Sequence, residues 1–187
     1  MAGIAADGVL DPALGWILRL FLASIFVRAV YAKLRSPSEF SDALRGYELV
    51  PERLAGTFAA ALLALECLIV PALLMPRFAP LASMVAVGVL CLYSLAIGIN
   101  LARGRRDIDC GCAGPLARQT LHEMLVARNL VYAALALGAA APMSLRAFGW
   151  LDGLTIGFGV VALFALAVAI DGLAAMAART TTSGAHT

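Results

Sequence analysis

The sequence predicts an all-α integral membrane protein, a bundle of about five transmembrane helices with a short amphipathic surface helix after the first. Three observations carry that expectation. Of the 187 residues, 62% are hydrophobic and only 14% are charged, whereas soluble domains are about half apolar and about a quarter charged. Mean hydropathy is +0.91. The apolar residues gather into five runs, each close to the roughly 20 residues that cross a bilayer.

The runs cover residues 13–33, 55–75, 80–101, 121–141 and 154–176. Helices are the expected form, because a chain in lipid must satisfy its own backbone hydrogen bonds. Abundant Gly and Ala allow the helices to approach closely. The fourth run is the most polar, carrying His122, Glu123, Arg128 and Asn129. Between the first two runs, Ser36-Pro37-Ser38-Glu39 reads as a capping box with proline at the first helical position. Phe40, Leu44 and Tyr47 follow at helical spacing and Pro51 ends the run, which predicts a short helix on the membrane surface. Residues 1–178 form one transmembrane domain, and the polar tail at 179–187 is expected to be disordered.

Other classes fall away. The net charge is +2 and the basic residues are scattered, so nucleic acid binding has no support. Four cysteines are too few for a disulfide-stapled domain. The start of the chain lacks a basic cluster and contains Asp7 and Asp11, so the first run is expected to stay as a span. No repeat points to an inverted-repeat transporter.

Five spans place the first loop, the loop at 102–120 and the C-terminus on one face. That face carries Lys33, Arg35, Arg45, Arg53, Arg103, Arg105, Arg106, Arg118 and Arg179, against Arg77 and Arg146 opposite. The positive-inside rule puts the richer face in the cytoplasm.

The chemistry gathers at Cys110-Gly111-Cys112 in the one strongly polar loop. Two thiols one residue apart close a small, strained ring, and strain raises a disulfide's reduction potential. Arg105 and Arg106 favour the thiolate. His122 or Glu123, at the mouth of the fourth span, are expected to move protons during exchange. Two other readings of the cysteines stay open: a soft-metal site completed by His122, and a plain turn brace. Disulfide chemistry belongs to an oxidising compartment, which opposes the orientation read from the arginines.

Ionisable groups within a bilayer are costly and mark function or internal pairing. At 1.5 Å per residue, Arg28 and Asp171 lie about 8 Å and Arg128 about 12 Å from the cysteine-bearing face. With His122, Glu123 and Asn129 they predict a polar vestibule under the dithiol, Asp171 balancing Arg28 or Arg128. Its rival is a static buried ion pair that pins helix packing. Glu66 falls near mid-membrane, and Arg19 is expected to snorkel toward the opposite face. Cys67 and Cys91 lie about 18 and 15 Å deep, as a second thiol pair or as small hydrophobes. No metal cluster or cofactor motif is evident; a quinone is the electron acceptor considered for the vestibule.

The stretch Ile99-Asn100-Leu101-Ala102-Arg103-Gly104-Arg105, then Asp109-Cys110-Gly111-Cys112-Ala113-Gly114-Pro115, resembles the signature of the methylamine utilisation MauE family. So does Arg128-Asn129-Leu130. Lys33 closing the first span, Phe40 before Pro51, and Glu66 in the second span add a weaker likeness to DoxX-type membrane proteins. The likeness covers residues 14–141, and Ala113 departs from it where many members carry phenylalanine. It implies a multi-pass protein of the bacterial inner membrane that supports maturation of the methylamine dehydrogenase small subunit. A thioredoxin-like companion of the MauD type is implied as partner. A non-catalytic assembly or export scaffold is the rival from another class.

Overall fold

The computed structural model describes residues 9–105, 122–144 and 146–183. Its described part is all-α, with six helices: α1 (Pro12–Arg35), α2 (Pro37–Gly46), α3 (Glu52–Leu74), α4 (Ala79–Ala102), α5 (Glu123–Ala139) and α6 (Trp150–Ser183). Four are long and apolar enough to cross a membrane: α1, α3, α4 and the Trp150–Leu173 part of α6. With 17 residues, α5 is about 25 Å long, short of the roughly 30 Å hydrocarbon thickness.

Local chemistry explains where the helices break. Asp11 caps α1 by accepting from the Ala13 amide at 2.8 Å, and Pro12 occupies the first turn, where its missing N–H costs nothing. Ser36 precedes Pro37, a position that disfavours helical backbone, and it leaves the helix at φ −141 and ψ 70. That one residue ends α1 through its N–H to Ala32 O and opens α2. The capping box expected there is not made, since Ser36 forms no side-chain cap bond. Phe40, Ala43 and Tyr47 turn inward, so α2 packs on α1 and α3.

The stop of α4 is built from the Asn-x-x-Arg-Gly motif. Gly104 sits at φ 74, in the left-handed region that suits glycine. Its amide donates to Leu101 O and that of Arg105 to Asn100 O, both at 3.0 Å. These are the paired bonds of a Schellman cap. Asn100 is fully buried, its amide donating to Ala96 O.

Phe21, Leu22 and Phe26 of α1 form the centre of the core, against Ile69 and Leu73 of α3 and a row of alanines on α4 and α5. Small residues let these helices approach closely, and α4 with α5 makes the most extensive pair. Phe21 meets Tyr132 edge-on at 5.8 Å. Outer faces of α3 and α6 stay apolar, with Leu68, Phe158, Val161 and Leu173 exposed, as lipid contact requires.

Side-chain ties fix the helix directions. Near one end, Arg28 of α1 and Arg128 of α5 both reach Asp171 of α6. At the other end Leu10 bonds to the backbone of Pro142 and Ser144, while Arg146 clasps Asp11 and Asp152. Helices α1 and α6 therefore run the same way, and α5 runs against them. Arg19 does not snorkel. It is 4% exposed and its Nε donates to Ala139 O, a terminal carbonyl of α5 that has no partner within its own helix. The tail expected to be disordered from 179 begins as helix, because α6 continues to Ser183. Extending an existing helix adds one bond per residue and needs no new nucleus.

Candidate functional site

Lys33 looks like a span-ending basic residue and is instead sealed inside, 2% exposed. Its Nζ donates to Glu66 Oε1 and, at 2.8 Å, to the Tyr93 hydroxyl. Tyr93 Oη donates to the same Glu66 oxygen at 2.6 Å, which closes a three-membered hydrogen-bonded ring across α1, α3 and α4. The rings of Phe40 and Tyr93 flank the ammonium, with centroids 4.6 and 4.9 Å away, a favourable cation–π arrangement. Lys33 therefore does not belong to the interfacial charge of the cysteine-bearing face.

A second ionic group stands beside the first. Asp171 accepts from Arg28 at 2.5 Å through one oxygen and from Arg128 at 2.7 Å through the other. It thus serves both arginines. Arg28 keeps 35% side-chain exposure and Arg128 only 12%. A cavity of about 60 Å³ joins the two groups. Lys33, Glu66 and Tyr93 of the first group line it, as do Arg28, Arg128 and Asp171 of the second, together with Asn129 and Tyr132. Its lining comes from α1, α3, α4, α5 and α6.

The arrangement gathers Arg28, Glu66, Arg128, Asn129 and Asp171 of the expected site residues. His122 and Glu123 are not in the lining. His122 sits half-buried at the N-cap of α5, and Glu123 is exposed in its first turn. Burial, with Arg128 nearby, pushes the His122 imidazole below its usual range. Arg105 pairs with Glu48 at 2.6 Å and ties the base of the cysteine loop to the turn after α2. That contact holds the Glu48 carboxyl below its usual range. Glu48 takes φ 51, rare for a residue with a side chain. Cys110, Cys112 and Arg106 lie outside the described residues. Cys67 is an exposed free thiol on α3 and Cys91 a half-buried one on α4.

Lys33, Tyr93 and Tyr132 line the cavity without being among the site residues expected from the sequence. Tyr93 gives no signal, being one tyrosine in an apolar run. Lys33 did give one, since the weaker likeness names Lys33, Phe40 and Glu66, and these three meet around one ammonium.

Fold and site together define a small multi-pass membrane protein built around an ionic cavity, with two cysteines in the sequence between its fourth and fifth helices. By comparison with known proteins, the chain belongs to the family of methylamine utilisation protein MauE, whose model matches residues 11–142. It is 37% identical to methylamine utilization protein MauE of Paracoccus denitrificans over 158 residues, 80% of this chain and 85% of that protein. The protein of the same name from Methylorubrum extorquens is 38% identical over 158 residues, with 84% and 85% covered. That of Methylophilus methylotrophus is 35% identical over 163 residues, 86% of each chain. No solved structure matches.

Proposed function

We propose that the protein serves methylamine utilisation as an inner-membrane thiol–disulfide exchange protein, with Cys110 and Cys112 as the working thiols. Its substrate in this reading is the methylamine dehydrogenase small subunit. The observation that carries it is the ionic cavity set into the same end of the bundle as Arg105 and His122, between which the two cysteines lie in sequence. Arg105, the last described residue before them, is held by Glu48, and His122, the first after them, lies six residues before Arg128.

In the exchange, a Cys110–Cys112 disulfide accepts two electrons and two protons from a substrate dithiol, which closes as a disulfide. A thioredoxin-like partner then reoxidises the pair and leaves as a dithiol, so atoms and electrons balance. A quinone is the alternative acceptor. Arg105 and Arg106 favour the thiolate, and His122 can take its proton. In this reading α5 is the fourth of five crossings, supported by ties at both its ends: Arg128 to Asp171 and Ala139 O to Arg19.

The test is maturation of the dehydrogenase small subunit in a strain carrying Cys110→Ser or Cys112→Ser. Either change is expected to abolish maturation while membrane insertion stays normal. Full maturation with both cysteines replaced would overturn the exchange reading and leave a scaffold. Labelling Cys112 with an impermeant thiol reagent in intact cells and in opened vesicles assigns the face.

A further inference from the structure

Glu66 is fully buried, yet only its Oε1 is engaged; Oε2 has no hydrogen-bond partner among the described residues. Asn129, 4% exposed, has the complementary deficit, a side-chain Nδ2 with no partner. Both residues line the cavity between the two ionic groups. A buried carboxylate oxygen and a buried amide each carry a desolvation cost when left unsatisfied. One needs a donor and the other an acceptor. The molecule that fills both roles at either end is water.

Size supports the same occupant. A water needs about 10–15 Å³ of such space, so about 60 Å³ admits a few. A benzene ring occupies a cavity of about 150 Å³, which rules out an aromatic head group lodged wholly inside. The cavity also has an outer edge at Arg28, the least buried member of its arginine–aspartate group.

We propose that this cavity is a hydrated proton-transfer site within the membrane, in which a few water molecules join Glu66 Oε2 and Asn129 Nδ2 to the Arg28–Asp171–Arg128 group. The waters give the Lys33–Glu66–Tyr93 ring a route for proton exchange with the outer edge. A proton arriving on water passes to Glu66 as a proton leaves the ring by the same chain, so no net charge builds up in the hydrocarbon. The site holds whether or not the loop thiols exchange disulfides, because every group in it belongs to the helices.

Two readouts on the intact protein in lipid nanodiscs test it. X-ray-driven hydroxyl radical labelling marks side chains beside bound internal water. Tyr93 and Tyr132 are expected to be labelled well above Phe21, which packs against Tyr132 on the dry side of the core. Tyr93 hydroxyl exchange into D2O, assigned in the infrared against Tyr93→Phe, is expected to be rapid. In Asn129→Leu, which fills the cavity with apolar atoms, it should slow by about tenfold or more, as exchange then waits on local opening. Labelling of Tyr93 and Tyr132 no greater than that of Phe21 would overturn the proposal in the wild type alone. So would exchange at an unchanged rate in a folded Asn129→Leu protein.

Discussion

Both ends of the bundle use arginine and carboxylate, and they use them for different ends. At the 10–11 and 142–152 end, Arg146 bridges Asp11 and Asp152 while remaining 42% exposed. It joins the chain start to the α5–α6 connection where water competes for each charge, and such pairs contribute little. At the other end, Lys33 and Glu66 are each about 1% exposed as side chains, and Asp171 holds two arginines. There the Lys33 and Glu66 charges cannot be released to solvent. The same residue types thus tie loops at one end and enforce a polar interior at the other, with depth as the deciding variable.

The sharpest break of that contrast is Lys33→Met. It strands Glu66 in the core and is expected to destabilise the protein by about 3–5 kcal/mol, read by chemical unfolding in mixed micelles. Adding Glu66→Leu should recover most of that loss, since an apolar pair of similar volume removes the orphaned charge. If the single and double variants lose equal stability, the ring is not the unit described. Asp171→Asn comes next, at about 1–3 kcal/mol, because the amide still accepts bonds but no longer offsets two guanidinium charges. Arg146→Ala is expected to have the smallest effect.

That last variant also carries a pH signature. The hydrogen bond from Arg146 holds the Asp11 carboxyl below its usual range. A carboxylate depressed on folding adds stability above its unfolded value, about 3.9, and loses it as pH falls through the folded value. The stability gap between wild type and Arg146→Ala should therefore be full at neutral pH and shrink in acid. A gap independent of pH would show that Arg146 acts through packing alone.

Much of this was legible in the sequence, for identifiable reasons. Long apolar runs report spans directly, and residue rise places Arg28, Arg128 and Asp171 at similar depth. Helix rotation is what residue rise cannot supply. It decided that Asp171 serves both arginines, that Arg19 turns inward to cap α5, and that Lys33 faces Glu66 rather than the interface. Ser36 shows another limit: a motif that spells a capping box yields to the proline beside it and to the preceding helix that needs its amide. Tyr93 matters only through two neighbours from distant parts of the chain, and no local pattern marks that.

The burial of the Lys33 ammonium has a consequence for how α1 can sit in the bilayer. Sliding the helix by one turn, about 5.4 Å, would tear a cation from its counter-ion and drag it through hydrocarbon. The ring therefore works as a vertical stop, fixing the insertion height of the first helix and, through Ser36, the height at which α2 leaves it.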